Sequence, residues 1–207
     1  MINNFVQDIL LTLSNPYTLL TVVCGDSKWF SVLDLKDAFF CIPVDEQAQL
    51  LFAFKWQDPE TKAMLQYCWT VLPQGFKNSS TIFGEILAKD LRNIPLKSGV
   101  LLQYIDAILK ARSTCEDCFL NTITVLNHLA NRGYKVSPHN AQICKQEVVC
   151  LRFQPKQGTR SLIEDRKQEI STLKIPENQR WLLRFLGLTG FCWIWIWIWI
   201  WLTAKPL

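Results

Sequence analysis

The sequence predicts an α+β fold, an antiparallel sheet with its helices on one face. Three observations carry that expectation. Apolar runs of strand length recur, notably "FSVLDL" (Phe30 to Leu35) and "VLLQYIDAILKA" (Val100 to Ala111). Two amphipathic helical patterns alternate with them. Clusters of Pro, Gly, Asn and Asp separate the segments at short intervals.

Residues 1–28 show no clear period. "FSVLDL" reads as a buried strand that carries Asp34 near its end. "LLFAFKW" and "MLQYCWTVL" read as paired strands around the turn Asp58-Pro59-Glu60, and Pro73-Gln74-Gly75 breaks the second one. Asn78 and Ser79 stand where a helix cap is expected, ahead of a stripe of Ile82, Phe83, Ile86, Leu87 and Leu91. "VLLQYIDAILKA" divides into two short strands with Asp106-Ala107 at the bend. A second helix is expected to bury Phe119, Ile123, Leu126 and Ala130 and to stop at Gly133. "YKVS" and "VVCLRF" read as strands, and helical patterns follow near 164–173 and 177–187.

The tail departs from this grammar. "WIWIWIWIW", Trp193 to Trp201, places large apolar side chains on both faces of any strand. The apolar run Phe191 to Leu202 falls short of the roughly 20 residues a membrane-spanning helix needs, so no membrane span is expected. An aggregation-prone or interface-seeking segment is the expectation.

Composition narrows the class. At 49% apolar and 19% charged the chain is globular, and a net charge of +4 permits a nucleic-acid partner without requiring one. Eight Cys at irregular spacing read as reduced thiols. Cys115-Glu116-Asp117-Cys118 is a CxxC with no second pair at zinc spacing. The N-terminus has no basic region ahead of an apolar core, so the expectation is an intracellular protein that is not secreted.

Asp34 and Asp106 are the candidate chemistry. Two carboxylates at neighbouring strand ends make a hard-oxygen site suited to Mg²⁺. Two such ions about 3.5–4 Å apart clamp the oxygens of a phosphoryl transfer. The spacing is equally that of a turn aspartate beside a strand-end aspartate, and Asp37 has the position of a helix cap.

"VLDLKDAFF", "LPQGFKNS", "LLQYIDAIL" and "GYKVS…AQIC" together, in this order, resemble the retroviral reverse transcriptases of the murine-leukaemia-virus type, over about Asn15 to Cys192. The chain is similar to a fragment of an endogenous retroviral Pol polyprotein. The resemblance implies a reverse-transcriptase palm with partial fingers over 1–155, the N-terminal fingers being missing. It further implies a partial thumb over 156–192, with 193–207 as the Trp-Ile repeat and tail. It implies RNA-directed DNA polymerase activity on an RNA or DNA primer-template with deoxynucleoside triphosphates and Mg²⁺. Asp34 and Asp106 take the places of the first two metal-binding carboxylates. Ala107 stands where a third is expected, so Mg²⁺ binding is expected to be weak or lost and the enzyme inactive as written; the alternative is a non-catalytic nucleic-acid-binding remnant or a pseudogene product without a selected role. Phe39 matches the aromatic residue under the nucleotide sugar, Gln74 a residue touching template and nucleotide, and Tyr104 the hairpin tyrosine near the primer end. Val148 to Phe153 matches the primer-grip hairpin. The sequence departs from the family at Ser80, where a proline is expected, and at Arg152, where a glycine is expected.

Overall fold

A computed structural model of the chain describes residues 2–9, 20, 23, 26–95, 99–157, 159–172 and 177–189. The Trp-Ile tail lies outside the described residues.

The central sheet is antiparallel, in the order β4-β5-β1-β6, with β7 pairing the same strand β1. Its strands are β1 (Trp29–Lys36), β4 (Val100–Tyr104), β5 (Ala107–Arg112), β6 (Lys135–Val136) and β7 (Gln142–Lys145). Alternation along β1 explains the layering. Leu33 and Leu35 point to one face and join Ile108, Phe83, Leu87, Leu91, Val125 and Leu129 in one core. The last five come from two helices, α2 (Ser79–Arg92) and α3 (Cys115–Asn131), so both helices cover the same face, as expected. Phe30 and Val32 point the other way and pack with Leu109, Ala111, Leu20, Val23, Val148, Cys150 and Phe153.

The predicted strand pair around Asp58 is the hairpin β2 (Ala53–Gln57) and β3 (Met64–Cys68), which forms its own two-stranded sheet. Between β1 and β2 lies the one-turn helix α1 (Glu46–Gln49). β8 (Phe153–Lys156) pairs with β9 (Thr159–Leu162), and α4 (Glu164–Ser171) and α5 (Gln179–Thr189) follow. No helix of the described residues is long and apolar enough to cross a membrane.

Three expectations need correction. First, α3 does not bury the stripe of Phe119 and Ile123. They are 51% and 39% exposed, while Cys118, Asn121, Thr122, Val125 and Leu129 face inward. The helix is rotated by about one residue because Thr122 Oγ1 donates to Ser31 Oγ at 2.9 Å in the interior, so a polar contact sets the buried face. Second, "VVCLRF" is not a strand. Cys150 and Phe153 exchange backbone hydrogen bonds of 2.9 Å each way around Leu151 and Arg152, both at left-handed φ (+54° and +65°). That is a tight two-residue hairpin turn, and the strand begins only at Phe153. Third, Asn78 occupies the N-cap of α2 but makes no capping bond. Its amide donates to Gln7 O (2.9 Å) and its carbonyl accepts from Ile9 N (3.3 Å), which fastens the N-terminal segment instead.

Candidate active site

The site forms where β1 ends and β5 begins. In register, Asp34 pairs with Ala107, and Ala107 pairs with Tyr104 on the other side. Strand alternation puts Asp34 on the same face as Phe30 and Val32, and Ala107 on the same face as Leu109 and Ala111. Asp34, Ala107 and Tyr104 therefore share the face turned away from the helices.

Asp106 sits in the turn joining β4 to β5. Its carbonyl accepts from Leu35 N at 3.0 Å, which pins the turn against β1. Its neighbour Ile105 has φ +53°, a conformation that a β-branched residue adopts only under strain, at a cost of about 1–3 kcal/mol. Gln103 opposes that strain by donating from Nε2 to Ile105 O (3.3 Å) and to Gly84 O of α2 (3.0 Å). Burial raises the Asp106 carboxyl above the usual carboxylate range, and the negative charge of Asp34 adds to the rise, against a smaller opposing pull from its own backbone amide. Asp106 thus senses the charge of Asp34.

Asp34 is held from the other side. Ser137 N donates to its carbonyl oxygen at 2.8 Å, and Asn140 Nδ2 donates to Oδ2 at 2.8 Å. Sequence reading missed Asn140. It lies in the polar stretch between β6 and β7, and only the pairing of Leu35 with Val136 brings that stretch over Asp34.

Mg²⁺ takes about six oxygens in near-octahedral array. Here the strand ends supply two carboxylates, and no group of three acidic, His or Cys side chains suited to a metal occurs among the described residues. Ala107, the register partner of Asp34, brings only a methyl group to the shared sheet face. The donor set does not fit the three-carboxylate site that the resemblance implies, so no reaction step is derived through a metal.

The remaining candidates fall in three places. Phe39 lies in the 3₁₀ turn Ala38–Cys41 and packs edge-on against Phe83 of α2, ring centroids 5.6 Å apart, on the helix side. The same turn is entered through Asp37, at φ +54° and with no side-chain capping bond, so Asp37 is not a cap. Gln74 is exposed in the turn before Gly75, which has φ +89°. Asn3 braces that turn, donating to Gly75 O (2.8 Å) and accepting from Lys77 N (3.1 Å). Tyr104 is half-buried and lines a small cavity with Leu102, Leu109, Cys150 and Leu151, beside the Leu151–Arg152 turn. The structure thus joins Asp34, Asp106, Ala107 and Tyr104 at one strand end, while Phe39 belongs to the opposite core.

Comparison with known proteins gives the family. The family described as reverse transcriptase (RNA-dependent DNA polymerase) matches residues 6–189. The chain is 46% identical over 197 residues to the Gag-Pol polyprotein of feline leukemia virus, covering 93% of this chain and 12% of that one. It is 47% identical to the Gag-Pol polyprotein of avian reticuloendotheliosis virus and 44% identical to the Pol polyprotein of feline endogenous virus ECE1, again over 93% of this chain, and it spans 17% and 19% of them. Among solved structures it resembles the foamy viral protease-reverse transcriptase in complex with dsDNA (TM-score 0.75, 29% identity, 92% of this chain and 38% of that one). The same enzyme in complex with RNA/DNA hybrid gives a TM-score of 0.73 at 29% identity, over 92% of this chain and 25% of that one. The chain belongs to the reverse transcriptase (RNA-dependent DNA polymerase) family, as a domain of the retroviral Pol type.

Proposed function

We propose that this chain is a retroviral palm that has lost polymerase chemistry and keeps weak, sequence-independent affinity for primer-template nucleic acid. The observation that carries the proposal is the register of Ala107. It faces Asp34 directly and shares its sheet face, so a carboxylate there would converge with Asp34 and Asp106. An alanine offers no oxygen. Removing one carboxylate from a two-cation site forfeits several kcal/mol of transition-state stabilisation, roughly 10³-fold or more in rate.

In this reading residues 1–155 are partial fingers and palm, 156–192 a partial thumb, and 193–207 an appended tail. Asp34 and Asp106 are the surviving metal-binding carboxylates. Phe39 and Gln74 are relics of the deoxynucleotide pocket, and Tyr104 and the Leu151–Arg152 turn are relics of the primer contact. The net charge of +4 supports modest phosphate binding that weakens steeply with salt.

The test is extension of a labelled primer on RNA and DNA templates with Mg²⁺ or Mn²⁺, beside a binding titration at two salt concentrations. No extension, together with weak salt-sensitive binding, is expected. Extension by the unaltered protein would overturn the loss of chemistry. Tight salt-insensitive binding would overturn the phosphate-contact reading.

A further inference from the structure

At the other end of the same strands lies a polar cluster in which the polymerase reading has no part. Its centre is Ser31 of β1. Opposite Ser31 the strand β7 bulges: Phe30 pairs with Lys145 and Val32 with Gln142, so Ile143 and Cys144 together face Ser31. Cys144 takes a left-handed backbone (φ +50°) to do this, and a bulge of this kind re-aims a side chain. Cys144 N then donates to Ser31 Oγ at 3.0 Å, and its Sγ lies 3.9 Å from the same oxygen. From above, Cys118 in the first turn of α3 brings its Sγ to 3.4 Å from Ser31 Oγ. Two sulfurs from elements far apart in sequence thus converge on one hydroxyl. On the strand at Ser31's other side, its register partner Lys110 is 1% exposed, and Nζ has no hydrogen-bond partner among the described residues. A buried ammonium without an acceptor is costly.

We propose that Cys118 and Cys144 form an oxidation site that a peroxide closes into a disulfide, tying α3 to β7. Cys144 is half-buried and Cys118 fully buried, so the first attack falls to Cys144. Its sulfur takes one peroxide oxygen, the O–O bond breaks, and the leaving hydroxide departs as water with the thiol proton. The sulfenic acid so formed is attacked by the Cys118 sulfur. The S–O bond breaks, the S–S bond forms, and the second oxygen leaves as water with the Cys118 proton. Two thiols lose two electrons, and one peroxide becomes two waters. Burial pushes the Cys144 thiol up to about 11, so the reaction is slow at neutral pH. Cys115, exposed one helical turn before Cys118, is the competing partner.

The experiment treats the full chain with hydrogen peroxide, alkylates the remaining thiols, and maps the digest by mass spectrometry. A Cys118–Cys144 cross-linked peptide, two hydrogens lighter than the reduced pair, is expected in the wild type and in Cys115→Ser. The oxidised protein should melt roughly 5–10 °C higher than the reduced one. A Cys115–Cys118 link, an intermolecular link, over-oxidised Cys144 without a cross-link, or no oxidation at Cys118 and Cys144 would each overturn the proposal. Because the wild-type map decides the matter, the test does not depend on whether Cys144→Ser folds.

Discussion

The two ends of β5 have exchanged the characters that their surroundings favour. At its first residue, where the strand opens onto the carboxylate site, stands the neutral Ala107. Three residues on, where the strand is buried on both sides, stands Lys110, 1% exposed, and then Arg112 at 8%. On the proposed function, charge is missing where it would act, and at the buried end it is present where it is costly. Room is even made for it: Gly99, at φ +92°, leaves a space in which a Cβ would sit 2.7 Å from Arg112 Cδ. If the proposed function holds, the contrast teaches that a fold tolerates a misplaced residue at either end of a strand, while chemistry tolerates none at the open end. The cost of a buried cation is a few kcal/mol spread over a whole domain, whereas the cost of a lost ligand falls entirely on one reaction.

The open end gives the largest expected effect. Ala107→Asp should raise Mn²⁺ affinity at least about tenfold, because a third carboxylate would converge on Asp34 and Asp106. Without a cation the extra charge repels two neighbours, so the variant should melt below the wild type. Saturating Mn²⁺ should reverse that deficit in the variant and leave the wild type almost unmoved. The checks are calorimetric Mn²⁺ titration and thermal melts with and without the ion. Equal Mn²⁺ affinity in the two proteins would mean that position 107 does not face the cation site, and the contrast between the strand ends would lose its first half.

The buried end gives the next effect. Lys110→Met keeps an unbranched chain of similar length and removes the unpaired ammonium. It should stabilise the protein by about 2 kcal/mol at pH 7 in urea unfolding. The pH dependence carries a sign. Burial, with help from the Arg112 charge, lowers the Lys110 ammonium from 10.5 to about 8. Between those two values the unfolded chain holds a proton that the folded chain has released, so this group's contribution to stability rises with pH across the window. The penalty is complete below pH 8 and gone above 10.5, so the advantage of Lys110→Met should shrink as pH rises from 8 to 10.5. Burial also raises the thiols of Cys144 and Cys150, to about 11 and about 12, and these act in the opposite direction. Both proteins share those thiols, so the difference between the two curves isolates Lys110. A gap that stays constant over that window would show that Lys110 is solvated in the folded state.

How much of this was legible follows the same division. Apolar runs of strand length marked β1 and the β4–β5 pair, and a stripe of period 3.6 marked α2, because apolar residues alone decide those faces. The pairing of Asp34 and Asp106 at one strand end could be read from motif order. What stayed hidden depended on polar contacts across the fold. The true face of α3 is set by Thr122 on Ser31, Asn140 reaches Asp34 only through β6, and β7 carries a bulge that spoils its alternation. The turn at Leu151–Arg152 was hidden for a different reason: neither residue belongs to the Asn, Asp or Gly set that signals such a turn.

That turn supplies the smallest effect and joins the two halves of the comparison, since it packs beside Tyr104 at the open end and is held by Cys150 in the core. Leu151 and Arg152 are both left-handed, and an L-residue there costs roughly 1–2 kcal/mol that glycine avoids. Arg152→Gly should relieve that cost at the second position. Against it stand the greater freedom of glycine in the unfolded chain, about 0.4–1 kcal/mol, and the loss of an exposed ion pair. That pair, Arg152 Nη1 to Glu169 Oε2 at 3.6 Å, is long and solvated on both sides, so its loss costs little. The net expectation is a gain of about 0.5 kcal/mol, too small to interpret alone. Arg152→Ala supplies the control, because it removes the ion pair and keeps the strained backbone. Glycine should exceed alanine at this position by about 1 kcal/mol in denaturant unfolding. If the two variants are equally stable, the strain at 152 is no larger than the roughly 0.4–1 kcal/mol that glycine's freedom in the unfolded chain costs. The arginine at a position where the resemblance implies glycine would then be a neutral change.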